Sequence, residues 1–210
     1  MISKLIINMS TRDVLNQTAE EHGMNSGLFQ FEKSGAYKLR LLTKPVALAT
    51  HFFGRGQTSA ICFGADKGCP FHGERAPKDE DGNEKRPSVK FVTYLINRAT
   101  GKIQLGELPW SVISAIADFE EDEDYAFKEY PMPYDIKVTV DKENKDPKQI
   151  YKTLASPKQE ALTGDEMVEL KSALGKMTPE AYVDARKQKQ MNKGKPNEYP
   201  VGPSPEEIPF

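Results

Sequence analysis

The sequence predicts a mainly β protein with added helices, built on a small open Greek-key barrel. Three observations lead there. Short runs with period-2 alternation of apolar and polar residues recur through the middle of the chain. Turn residues separate those runs. A single helical stripe interrupts them, and helical patterning returns only after Ser156-Pro157.

Residues 1–35 read as an N-terminal arm. Ser10 or Thr11 is placed to cap a short helix there, and Gly23 and Gly27 break it. Tyr37-Lys38-Leu39-Arg40-Leu41 alternates as a strand with one wet face. Lys44-Pro45 ends it, Ala47 to Phe53 resumes, and Gly54-Arg55-Gly56-Gln57 turns the chain into a short strand from Ser59 to Phe63. Gly64 to Lys85 is a polar loop, long enough to need an organising feature. Val89 to Ile96 is apolar nearly throughout, as a central strand is. Ala99-Thr100-Gly101-Lys102 makes a hairpin turn into a strand with Ile103 and Leu105. Pro109 opens a helix from Trp110 to Phe119. Ile136, Val138 and Val140 alternate with Asp135, Lys137 and Thr139, and Gln149 to Leu154 is the partner strand. Thr163 and Glu166 spell a capping box for a helix to Leu174, and Thr178-Pro179-Glu180 starts another to about Lys189. The expected organisation is therefore an arm at 1–35, a β domain at 36–156 with an organised loop at 51–87, helices at 157–190 and a flexible tail at 191–210. The tail has five prolines in twenty residues.

The chain has 210 residues, of which 38% are hydrophobic and 29% charged. That composition fits one modest core with appendages. No run nears the ~18 apolar residues of a membrane span, and no signal peptide is legible, so a cytoplasmic protein without membrane contact is expected. A net charge of -2 hides local asymmetry. Lys33 to Lys67 holds six cations against the single acid Asp66, whereas Asp118 to Asp124 is acidic at six of seven positions.

His51, Cys62, Cys69 and His72 form the strongest chemical signal. Every cysteine and every histidine except His22 lies within these 22 residues. Two thiols and two imidazoles satisfy a closed tetrahedral Zn2+ site, and such a clip explains a long loop with little core. Four ligands leave no open coordination position. No Ser/His/Asp set, phosphate loop or paired-carboxylate motif is present either, so an enzyme is not expected.

Cations and rings share the predicted strands. Lys38, Arg40, Arg55, Lys90 and Lys102 are expected to meet phosphates, and Phe53, Tyr94 and Tyr151 to stack on bases. The chain ends in Glu206-Glu207-Ile208-Pro209-Phe210, an acidic and apolar tip suited to a basic-rimmed pocket on a partner protein. That tip resembles the C-terminal tip of bacterial single-stranded DNA-binding proteins.

From Tyr37 to Leu154 the chain resembles phage single-stranded DNA-binding proteins distantly similar to the T4-type helix-destabilising protein. The likeness rests on Tyr37-Lys-Leu-Arg-Leu-Leu, His51, Cys62-Phe-Gly-Ala-Asp-Lys-Gly-Cys-Pro-Phe-His72, Phe91-Val-Thr-Tyr-Leu-Ile-Asn and the Trp110 helix. The resemblance implies a five-stranded OB-fold with a zinc subdomain, with His72 standing where that family has a last cysteine. It implies a protein that coats single-stranded DNA in phage replication, recombination and repair. Replication and repair proteins would be recruited through the tip, and the tail would compete with DNA for the basic groove. Double-stranded DNA stays open as a second ligand. The alternative is a zinc-organised adaptor that bridges replication proteins without binding DNA.

Overall fold

A computed structural model describes residues 28–53, 59–146 and 149–193. Seven strands and three α-helices account for them. They are β1 (Gly35–Leu41), β2 (Val46–His51), β3 (Ala60–Ile61), β4 (Ser88–Asn97), β5 (Lys102–Pro109), α1 (Trp110–Glu121), β6 (Tyr134–Val140), β7 (Tyr151–Gln159), α2 (Gly164–Lys176) and α3 (Pro179–Lys193). The protein is thus mainly β with C-terminal helices, and the strand ladders are antiparallel. No helix among the described residues is long and apolar enough to cross a membrane.

The chain divides into two compact units. One runs up to Ala47 and resumes from Val89 to Glu180; the other takes Leu48–Ser88 and the chain from Ala181 onward. The helical region expected at 157–190 is therefore split, with α2 in the first unit and most of α3 in the second.

In the first unit the strand order is β5-β4-β1-β6-β7. No ladder joins β5 to β7 among the described residues, so this sheet is not closed into a barrel. Alternation sorts its side chains. Leu39, Leu41, Leu95, Ile136, Val138 and Val140 point to one face and pack with Val112 and Ile116 of α1. Phe29 and Phe31, within the stretch read as an arm, join this core. On the other face, Tyr94, Ile96 and Ile103 pack with Leu42 and with Leu170, Ala173 and Leu174 of α2. The Thr163–Glu166 capping box forms as expected. Glu169 of α2 also accepts a hydrogen bond from the Ile103 backbone N–H at 3.3 Å.

Gly106 marks the tightest approach. The Phe29 N–H donates to the Leu105 carbonyl at 2.8 Å, and the Glu107 N–H donates to the Phe29 carbonyl at 3.3 Å. A Cβ at Gly106 would lie 2.7 Å from Leu95 Cδ2 and 3.3 Å from Phe29 Cβ. Leu95 is fully buried and has no room to retreat. Gly106→Ala should cost about 1–3 kcal/mol by overpacking, read as a lower urea midpoint with an unchanged slope.

Candidate metal centre and nucleic-acid interface

The second unit builds a four-ligand cluster. The β2–β3 hairpin pairs His51 with Ala60 and Thr50 with Ile61, and the Cys62 N–H extends the ladder to the Ala49 carbonyl at 2.9 Å. His51 and Cys62 are therefore diagonal neighbours on the same face of one ladder. A tight turn then brings in the second pair: the Lys67 and Cys69 N–H groups both donate to the Gly64 carbonyl, at 3.2 and 3.1 Å. Gly68 sits at φ 73° there, a conformation that side chains with a Cβ resist.

The four ligand atoms all lie within 4.8 Å of one another. Cys62 Sγ is 3.3 Å from His72 Nε2, and Cys69 Sγ is 3.6 Å from His51 Nε2. Bonds of about 2.0–2.3 Å to a tetrahedral ion give ligand–ligand edges of roughly 3.3–3.8 Å, so the spacing suits one central ion. His51, Cys62 and Cys69 are buried, and His72 is partly so. Both cysteines are free thiols. His72 Nδ1 lies 3.1 Å from Glu84 Oε1, and the Gly73 N–H donates to Glu84 Oε2 at 3.3 Å. A carboxylate behind a ligating imidazole fixes its tautomer and ring orientation. The Lys78–Glu84 hairpin supplies that carboxylate, which explains why so long a loop folds back on itself. His51 Nδ1 has no partner among the described residues. Burial, then the nearby His72, hold His51 below its ordinary value, which favours the neutral form that ligates metals. Burial pushes the Cys62 thiol up, opposed by a backbone hydrogen bond at Gly64 and reinforced by Cys69. The donor set fits a closed metal centre with no position for a substrate.

The described residues expected to hold nucleic acid differ in exposure. Lys38 is exposed and reaches Asp135 at 3.1 Å. Arg40 is only 1% exposed: its Nε donates to Asp135 at 2.7 Å and its Nη1 to the Glu160 carbonyl. It anchors the sheet, so it cannot meet a phosphate. Its position in the alternation is the wet face, but Asp135 draws it down. Tyr94 is buried too, at 7% exposure, because α2 lies over its face. Its hydroxyl donates to the carbonyls of Ala173 and Met177 at 3.2 and 3.1 Å. Tyr151 turns inward rather than outward: it stands opposite Val140 and packs against Phe31 at 5.5 Å. Leu154, on the opposite face of that strand, is 49% exposed. Phe53 is half-buried against Phe71, edge to face at 5.2 Å. Lys90 is exposed and pairs with Glu107 at 3.4 Å. Lys102 is exposed at the start of β5. Arg55 and the tip Glu206, Glu207, Ile208, Pro209 and Phe210 lie outside the described residues, as does the helix expected near Ser10.

Two exposed rings, Phe52 and Trp110, lie outside the expected set. Trp110 is 61% exposed and packs against Phe91 at 5.6 Å. It opens α1 ahead of the buried stripe Val112 and Ile116, directly after Pro109 at the end of β5. The sequence reading places Trp110 at the start of this helix and gives it no role; its position after Pro109, ahead of the apolar stripe, is the signal that sets it apart.

No protein-family model, no curated protein and no solved structure matches this chain.

Proposed function

We propose that the chain binds single-stranded nucleic acid without catalysis, on an OB-type sheet whose inserted hairpin is clipped by zinc. The order β5-β4-β1-β6-β7 supports the fold reading, because α1 falls between the third and fourth of those five strands in the chain. The β2–β3 hairpin is then an insertion after the first strand. Two soft thiolates and two imidazoles select zinc over hard cations, and bound zinc would act as a structural clip held by His51, Cys62, Cys69 and His72.

The observation that carries the nucleic-acid reading is the Trp110–Phe91 ring pair, with Trp110 61% exposed. An exposed indole backed by a second ring is a platform on which unpaired bases stack without sequence readout. Coating of single-stranded DNA in replication, recombination and repair is the role this chemistry serves, with the acidic tip recruiting other proteins. Trp110 is also the only tryptophan in the chain, so its emission reports on this site alone. Oligo-dT should quench that fluorescence saturably. Trp110→Ala should weaken binding by about 1–3 kcal/mol, or roughly 5–150-fold, measured by fluorescence anisotropy of a labelled oligonucleotide. Emission unmoved by saturating oligo-dT would remove Trp110 from the site. The adaptor reading keeps one observation, Val168 standing 68% exposed on α2. A chain that binds no oligonucleotide would favour it.

A further inference from the structure

We infer that the phosphate backbone of the bound strand crosses the outer face of β1, β6 and β7, held by Lys38, Lys137 and Lys152; this rests on the single-strand reading above. Register places these residues. Lys38 stands opposite Lys137, and Ala36 opposite Thr139. Lys137 in turn faces Leu154, and Thr139 faces Lys152. All point away from the core side chains Ile136, Val138 and Val140. The β4–β5 part of the same face is closed by α2, so this half is the open one.

Two features mark the face as an anion site. First, Lys38 and Lys137 are a directly opposed like-charge pair, which destabilises a sheet unless an anion lies across it. Lys152 is their diagonal neighbour. The carboxylate of Asp135 does not neutralise the group, because Arg40 and Arg98 share it with Lys38. Glu160, the other acid nearby, is paired with Lys158. Lys137 and Lys152 are exposed and have no ion-pair partner among the described residues. Second, these strands enclose a shallow hollow of about 480 Å³, lined by Ala36, Lys38, Lys137, Leu154 and Ser156. An open trough with cations along it and an apolar floor suits a polymer charged at every repeat, with its sugars against Leu154. Lysines along such a trough meet the sugar-phosphate backbone, so contact here is sequence-independent.

The test uses the full chain and the double variant Lys137→Gln/Lys152→Gln, which leaves Lys38 and its bond to Asp135 in place. Affinity for labelled oligo-dT is read across a salt series. The variant should bind more weakly, and its log–log salt slope should shrink by about 1.4, from about 0.7 per lost phosphate contact. Lys128→Gln/Lys171→Gln, an equal charge loss elsewhere, should leave the slope unchanged, and urea midpoints should match throughout. Normal binding by the wild type with an unchanged slope in Lys137→Gln/Lys152→Gln would overturn this path and leave the single-strand reading intact. Absence of binding by the wild type would overturn both. If the double variant lost affinity for poly-glutamate but kept it for oligo-dT, the face would belong to an acidic protein and the inference would fail.

Discussion

Cys69→Ala is expected to empty the metal centre and loosen the segment from 48 to 88. Between Gly64 and Lys85 the buried side chains are Cys69, Ala76 and Pro77, far too little apolar surface to order twenty-odd residues. What orders them is the ligand set and the Glu84 carboxylate behind it. Zinc-folded modules draw apparent metal-binding free energies of about 10–16 kcal/mol, so losing one thiolate removes most of the stabilisation of this segment. The wild type should carry about one zinc per chain by elemental analysis, and the variant essentially none. Limited proteolysis should then cut the variant between Gly64 and Lys85 while sparing the wild type. Glu84→Gln should act more mildly, keeping zinc but weakening it by about 10–100-fold, because Glu84 orients His72 without ligating. A metal-free wild type as resistant to protease as the zinc-treated protein would contradict this account.

Asp135→Asn should be the most damaging single change in the sheet. Asp135 is buried and receives Arg40 at 2.7 Å, Arg98 at 3.0 Å and Lys38 at 3.1 Å. Arg98 also reaches Glu166 at the start of α2, at 2.5 Å, so the same carboxylate helps seat that helix. Removing the charge leaves the Arg40 guanidinium, only 1% exposed, without a counter-ion. Breaking a buried pair in this way costs about 3–5 kcal/mol, and urea unfolding should show it. Replacing both partners, as Arg40→Met with Asp135→Leu, should recover a large part of the loss. The carboxyl also sets an acid limit. Burial would raise it, but hydrogen bonds from Arg98, Arg40 and Lys38 prevail and hold it below its ordinary value of 3.8. A depressed carboxyl stabilises the fold fully above its unfolded value and loses that contribution as pH falls through the folded one. Wild-type stability should therefore fall on acidification below about pH 4. Asp135→Asn should lack that part of the fall.

Much of this architecture was legible because it rests on local rules. Alternation in Ile136, Val138 and Val140, the Pro109 start of α1 and the Thr163–Glu166 capping box each act within a few residues, and each appears in the structure. The cluster of His51, Cys62, Cys69 and His72 was legible for a different reason: chemistry restricts which residue types can ligate a metal, and the chain has few of them. Glu84 was not, since any of several acids in that loop could have served, and only the Lys78–Glu84 hairpin selects it. The proposed binding face was the least legible. Strand parity says which residues share a face, but not what covers it. Tyr94 and Lys90 do alternate together, yet α2, which begins at Gly164, covers Tyr94. Arg40 has an outward position and is buried through an ion pair with a residue 95 positions away. Lys137 was visible in the alternation of β6, but its opposition to Lys38 depends on the β1–β6 register, which no local pattern specifies.

The most direct test of the account is an equilibrium titration of labelled oligo-dT with the zinc-loaded full chain, repeated at several salt concentrations. The account predicts saturable binding at low salt and a log–log slope at or beyond about -2, the contribution of three lysines at about -0.7 each. Absence of binding at low salt, or affinity indifferent to salt, would contradict it.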